Sequence, residues 1–254
     1  MINMLIFSKN RPFFISNYLD SLSGQPILPT VLCYVDHEYK DAYDKIQRDF
    51  PSVKFIDVKA GSTVDIIMQW TNDIKDDLAI LSVDDNLCLT DFSEEPIRKA
   101  MSDPSMFGFS LRLMNGIRNI YIKPNADGIL VWDPRKYVEK HSFGYYWEVS
   151  STVYRVKTIQ DILRQCNKGV VKPNHIEAKG MHVLRGKVSK LASFEYAPIV
   201  NVFVDTHRIV DLEYRLTDKN ALSIYWEGKK LDKDAYSKAR DRVRTMHIME
   251  LHLV

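Results

Sequence analysis

Cysteine is scarce in this chain of 254 residues: Cys33, Cys88 and Cys166 are widely spaced and form no CxxC pattern. That usage excludes a disulfide framework and leaves structural zinc without ligands. It fits a reducing compartment, with all three thiols read as small core residues. Long apolar runs are missing, since none approaches the ~20 residues needed to span a bilayer. Net charge is nearly absent too, because 35 Lys+Arg against 33 Asp+Glu leave only +2. Without a broad basic field, nucleic acid is not an expected partner. Glycine-rich phosphate loops are also lacking: no GxGxxG follows the first apolar run, and GxxxxGK[ST] does not occur. Dinucleotide dehydrogenases and P-loop NTPases are thereby disfavoured, and the lack of a GxSxG elbow leaves a serine hydrolase unsupported.

What is present is an ordinary globular balance, 45% hydrophobic and 27% charged residues. Apolar runs at Met4–Phe7, Val31–Val35, Val53–Val58 and Leu78–Val83 alternate with amphipathic stretches opened or closed by Pro12, Gly24, Pro26 and Pro51. Met1–Phe7 has no basic segment before it and reads as a buried first strand, not a signal peptide. Continuously apolar strands that alternate with helices predict an α/β fold with a mostly parallel central sheet flanked by helices. Further strands are expected at Met106–Leu113, Ile129–Trp132 and Pro198–Val204, with helices over Ile159–Cys166 and Ile176–His182. No linker, repeat or low-complexity tract interrupts the chain, so one domain over 1–254 is expected.

In open parallel sheets ligands bind beyond the carboxyl ends of the strands. Polar residues gather at those ends here. Ser8, Lys9 and Arg11 follow the first strand, where backbone amides at a helix start would favour phosphate. Asp36 follows the second strand, and could either contact a base or ribose or cap the next helix. Asp84-Asp85-Asn86 follows the fourth. Its oxygen donors suit Mg²⁺ or Mn²⁺, although the same residues also serve as turn and cap signals.

The order Phe7-Ser8-Lys9-Asn10-Arg11-Pro12, Tyr18-Leu19-Asp20-Ser21-Leu22, an Asp after the second strand, and Ser82-Val83-Asp84-Asp85-Asn86 after the fourth resembles the nucleotide-binding half of a GT-A-fold glycosyltransferase. Later segments are similar to a poorly characterised bacterial group of such enzymes. They are Phe109–Leu113, Phe143-Gly144-Tyr145, Thr152–Arg155, Pro173–Glu177, Val200–Val202 and Leu222–Lys229. The resemblance implies a GT-A (Rossmann-like) fold, with residues 1–105 as a nucleotide-sugar-binding half and 106–254 as an acceptor-facing half. It implies sugar transfer from a nucleotide-diphosphate sugar to a hydroxyl of a glycan or glycolipid. The DxD-type position falls on Val83-Asp84-Asp85, with Asp85, Asn86 and His207 around a Mn²⁺ or Mg²⁺. Asp84 then lies nearer the ribose and Asp36 nearer the base. Glu177 takes the acidic position beside the acceptor and acts as general base, the alternative being a solvated residue in a helix's first turn.

Asn86 stands where an acid is more usual, and Ser150-Ser151 where a glycine or an acid is. A catalytically silent nucleotide- or glycan-binding module is therefore one alternative, and a nucleotidyltransferase another. Arg112, Trp132, Tyr145 and Trp147 are candidates for the acceptor and sugar region. The aromatic loop over 143–147 reads equally as a sugar-stacking surface or as a core-facing loop. The basic stretch Lys229–Arg244 carries an amphipathic helix, by default solvated, with contact to anionic lipid as the alternative. A cytoplasmic protein, peripheral to a membrane in that alternative, is the expectation.

Overall fold

A computed structural model describes residues 1–58, 62–137, 142–166, 172–202, 218–243, 247–248 and 252–254. Strand β1 (Ile2–Lys9) leads through α1 (Pro12–Ser21) to β2 (Ile27–Tyr34), then α2 (Lys40–Asp49), β3 (Lys54–Asp57), α3 (Thr63–Asp73) and β4 (Leu78–Val83). Two residues later β5 (Asn86–Cys88) begins, followed by α4 (Glu94–Met101), β6 (Gly108–Ser110), β7 (Ile129–Trp132) and β8 (Thr152–Arg155). The remainder comprises α5 (Val156–Leu163), α6 (Pro173–Leu184), β9 (Leu191–Phe194), β10 (Ile199–Val202), α7 (Asp218–Trp226), α8 (Lys233–Val243) and β11 (His247–Ile248).

An eight-stranded sheet runs β3-β2-β1-β4-β8-β6-β9-β7, and a three-stranded sheet runs β11-β10-β5. Strands β1 to β4 pair in parallel, β8 lies antiparallel between β4 and β6, and β9 is parallel to β6. The expected α/β architecture is present, and helices cover both faces of the large sheet. Period-two alternation along β1 sends Leu5 and Phe7 to one face, with α3, α5 and α6 residues such as Trp70, Ile159 and Ile176. Met4 and Ile6 go to the other face, against Tyr18 of α1, Ile46 of α2 and Ile97 of α4. A third core, with Phe13, Phe14, Leu87, Val200 and Tyr236, joins α1 to the small sheet and α8.

Local chemistry accounts for several boundaries. Pro12 opens α1 with its φ preset and no amide to satisfy. Ser93 caps α4 by accepting from the Glu95 amide, and two glutamates follow in the first turn. The strand expected over Met106–Leu113 is confined to three residues. Ser110 Oγ accepts from the amides of Arg112 (3.3 Å) and Leu113 (3.2 Å), which turns the chain out of the sheet. The expected strand Pro198–Val204 is seen as β10, and its continuation through His207 lies outside the described residues. Cys33 and Cys88 are buried as expected, with burial pushing both thiols up to about 12, whereas Cys166 is partly exposed. Tyr236 and Ala239 of α8 face the third core, so that part of its apolar stripe is covered by protein. Among the described residues no helix is long and apolar enough to cross a membrane.

The aromatic loop packs inward. Trp147 is fully buried, its Nε1 donates to the Ile176 carbonyl at 3.2 Å, and Gly180 of α6 lies against its indole. A Cβ at Gly180 would sit 2.2 Å from Trp147 Cδ1, closer than any real contact. Gly180→Ala is therefore expected to lower stability by about 1–2 kcal/mol despite alanine's better helix propensity. Urea unfolding reads this directly, and an unchanged or higher midpoint would contradict the packing.

Candidate functional site

Register decides what meets at the sheet edge. Lys9 pairs with Tyr34, and Phe7 with Val83, so β1, β2 and β4 end close together. Leu81 pairs with Thr152 of β8, and Thr152 with Ser110 of β6. Because β8 runs the opposite way, the residues before it arrive at the edge that the residues after β4 and β6 leave. Ser8–Arg11, Asp36, Asp84-Asp85, Arg112 and the segment from Glu148 to Ser151 thus share one end of the sheet.

Asp84 and Asp85 form the turn between the two sheets. The Asp84 amide donates to Phe7 O at 3.0 Å, and the Val202 amide to Asp85 O at 2.7 Å. One acid is fixed to the large sheet and the other to the small one. Asp84 Oδ2 accepts from Ser8 Oγ (2.8 Å) and the Lys9 amide (3.3 Å), and Asp85 Oδ1 from Asn201 Nδ2 (2.6 Å). The remaining oxygens, Asp84 Oδ1 and Asp85 Oδ2, both meet Arg11 Nη1, at 3.4 and 3.3 Å. These contacts are longer than the ~2.7–2.9 Å of a tight charge-assisted bond. One guanidinium thus serves two crowded carboxylates. Burial raises Asp84 to about 6 against the pull of Arg11, with Asp85 pushing the same way. Burial also raises Asp85, opposed by Arg11 and the Asn201 hydrogen bond.

Among the described residues no three His, Cys, Asp or Glu side chains gather around one point. Two carboxylates that already turn an oxygen each toward a shared cation nevertheless fit Mg²⁺ or Mn²⁺, which complete their shell with water and substrate phosphate. Asn86 is placed differently from an additional metal neighbour. It is buried, and its Nδ2 donates to Ser82 Oγ (3.0 Å) and Ser151 Oγ (2.9 Å), while its Oδ1 accepts from Asn201 (3.2 Å) and from Ser150 Oγ (3.4 Å). Tyr18 OH closes this knot against Ser82 and Ser151. His207 lies outside the described residues.

Asp36 is gripped by Asn10, whose Nδ2 donates to its carboxylate at 2.5 Å while the Asp36 amide donates back to Asn10 Oδ1 at 2.8 Å. Asn10 holds a left-handed φ of 53°, which turns the chain from β1 into α1. Lys9 is exposed, with Nζ 4.9 Å from the centre of the Tyr34 ring. On the other side, Glu177 on α6 accepts from the Val149 amide at 2.9 Å and is raised by burial, that hydrogen bond opposing. Tyr145 beside it is half-buried. Trp132 and Trp147 are in the core, with Trp132 Nε1 donating to Phe143 O at 2.8 Å. Of the two readings of the aromatic loop, the core-facing one describes these tryptophans. Their indole N–H groups find backbone carbonyls only from inside. Glu148, which sequence reasoning passed over, forms a buried ion pair with Arg112. Only its place in an apolar, aromatic stretch hinted that it needed a partner.

No family model matches the chain. It is similar to the bifunctional glycosyltransferase pgtA of Dictyostelium discoideum, 26% identical over 215 residues that cover 70% of this chain and 28% of that one. The chain is thus a distant relative of a glycosyltransferase and spans about a quarter of its length. Among solved structures it is loosely similar to S. aureus TarS 1–349, with 11% identity, TM-score 0.48, and 77% of this chain and 58% of that chain covered. A second is the mannosyltransferase PcManGT from Pyrobaculum calidifontis in complex with GDP-Man and Mn²⁺, with 8% identity, TM-score 0.44, and 75% and 53% covered.

The acid pair has a consequence for stability. An acid whose pKa rises on folding keeps its proton longer in the native state, so its contribution is full below the unfolded value and is lost as pH climbs. For Asp84 the window runs from the ordinary 3.8 to about 6. Asp84→Asn is expected to be about 1–2 kcal/mol more stable than the parent at pH 7.5, with the gap closing by pH 4. Urea unfolding at the two pH values checks it, and a variant less stable at pH 7.5 would refute the electrostatic reading.

Proposed function

We propose that the protein transfers a sugar from a nucleotide-diphosphate sugar to a hydroxyl of a glycan or glycolipid. The observation that carries this is the Asp84–Asp85 turn, where two carboxylate oxygens converge on one cation at the carboxyl edge of a parallel sheet. Phosphate-bearing ligands bind at such edges. The relationship to a glycosyltransferase favours sugar transfer over nucleotidyl transfer.

In this reading Asp36 contacts the base and Asp84 the ribose, while Asp85 and His207 are the residues that would hold Mn²⁺ or Mg²⁺. Bound there, such an ion would neutralise charge on the leaving nucleoside diphosphate. Arg11, partly exposed, moves from the acids to the diphosphate, and Lys9 adds a second positive charge nearby. Ser8 fixes the Asp84 carboxylate through its hydroxyl. The bond from the anomeric carbon to the diphosphate oxygen breaks with its electron pair on the leaving group, and a bond to the acceptor oxygen forms. Glu177 takes the proton of that hydroxyl. Burial suits it to the task, because a carboxylate with a raised pKa is a stronger base than an exposed one. Tyr145 faces the acceptor sugar, whereas Arg112 is buried in its pair with Glu148 and does not reach it.

Thermal-shift screening of nucleotide sugars with and without Mn²⁺ tests this. A donor at a hundred times its dissociation constant stabilises by about 2.7 kcal/mol, or about 5–10 °C for a chain of this size. The shift is expected only with donor and Mn²⁺ together, and is expected to vanish in Asp85→Ala. An equal shift in the variant would remove the metal from Asp85, and no response to any nucleotide would favour the catalytically silent glycan-binding module.

A further inference from the structure

The Arg112–Glu148 ion pair is buried on both sides, 5% and 7% exposed, and the proposed reaction makes no use of it. Glu148 Oε1 also accepts from Thr152 Oγ1 (2.5 Å) and Ser110 Oγ (3.4 Å), and Arg112 Nε donates to the Ser150 carbonyl at 2.8 Å. These contacts close on the chain between 148 and 152 or on the end of β6 at Ser110. A buried pair of this kind contributes little net stability against an apolar replacement. What it contributes here is geometry.

The segment it fixes touches both candidate reaction centres. The Val149 amide is the donor to Glu177. Ser150 and Ser151 meet Asn86, the residue after Asp85, and Asn86 shares Asn201 with the Asp85 carboxylate. Ser151 carries a left-handed φ of 58°, a conformation that costs a β-carbon residue free energy and persists only where neighbours enforce it. Its amide donates to Leu81 O at 2.7 Å, and its carbonyl accepts from the Leu111 amide at 3.0 Å. The two centres are thus joined by one short stretch of backbone that holds a left-handed residue and is hydrogen-bonded at Glu148, Val149, Ser150 and Ser151.

Resting on the reading of Glu177 as the acceptor-side carboxylate, we propose that Arg112 and Glu148 are its positioning residues. They hold the 148–151 backbone so that Val149 presents its amide to Glu177 at a set distance from the Asp84–Asp85 turn, and they place a balanced pair of charges behind it. The groups that face Glu177 are Tyr145 and Glu148 from the loop before β8, Arg112 from beyond β6, and Tyr154 of β8. Glu148 opposes ionisation of Glu177, and Arg112 favours it.

Carbon-13 NMR of the glutamate carboxyl groups, with Glu177→Gln identifying the signal, follows Glu177 without donor or metal. Glu148→Gln removes the like charge and is expected to lower the Glu177 midpoint by about one pH unit, and Arg112→Met to raise it by about as much. Arg112→Lys keeps the charge but loses the planar fork. Its midpoint is expected to stay put while solvent exchange of the Val149 amide quickens about tenfold. Single variants that strand a buried charge risk the fold, so the double variant Arg112→Met/Glu148→Gln provides the stable comparison, with fast Val149 exchange expected there too. An unmoved Glu177 midpoint in Glu148→Gln, or Val149 protection unaltered in the double variant, overturns the proposal. A missing nucleotide response in the thermal-shift screen would instead overturn the transfer reading and leave these measurements standing.

Discussion

Two sheets share one strand-to-strand turn of two residues, and both residues are aspartates. The geometry of the acid pair at the candidate site follows from that constraint. Strand β4 belongs to the large sheet and β5 to the small one, and each acid is hydrogen-bonded through its backbone to a different sheet. Neither can retreat from the other without breaking a ladder. The repulsion between them is therefore held in place by the fold, and burial raises both acids, with Asp85 adding to the rise of Asp84. A cation is the chemical answer to such a pair, and Arg11 supplies one from the start of α1.

What resists the repulsion is a neutral polar knot under the turn. Ser82, Asn86, Ser151 and Tyr18 satisfy one another out of contact with water, and Asn201 extends the set to Asp85. In a low-dielectric setting each such hydrogen bond is strong, and each orphaned partner would be costly, so the group tends to hold or fail together. An acid at position 86 would add a third negative charge beside two that already compete for one guanidinium. An amide gives the same shape with two N–H donors, which meet Ser82 and Ser151, and an oxygen that accepts from Asn201. Asn86 is thus understandable as a support of the turn, whatever its neighbours bind.

Much of the fold was legible because burial on both faces writes itself as unbroken apolar runs. Strands β1 to β4 and helices α1 to α3 fall where Met4–Phe7, Val31–Val35, Val53–Val58, Leu78–Val83 and the intervening amphipathic stretches put them. Strands β5 and β9 were not legible. Each is three or four residues long, and pairing with distant partners, β10 for one and β6 and β7 for the other, makes them strands. The acids of the site were legible by position after a strand. Their shared dependence on Arg11 was not, since it needs the parallel register that levels β1 with β4. Glu148 was hidden for a related reason: nothing local distinguishes a buried, paired glutamate from a solvated one. The tryptophans of the aromatic loop were ambiguous in sequence because sugar platforms and cores use the same side chains.

That ambiguity resolves in a way that bears on where an acceptor sits. With Trp132 and Trp147 packed inward and Gly180 pressed against the latter, the aromatic loop acts as the floor under α6. Glu177 lies one turn before Gly180 on the same helix, so the contact that buries Trp147 also sets the height of Glu177 above the sheet edge. The Val149 amide then fixes its carboxylate laterally. Glu177 keeps partial exposure between that packing and this hydrogen bond. Tyr145, half-buried beside it, is the aromatic residue of the loop that keeps a surface there. In the proposed reading an acceptor hydroxyl would therefore reach Glu177 on the side of Tyr145 and not through the aromatic core, where Trp132 and Trp147 are buried.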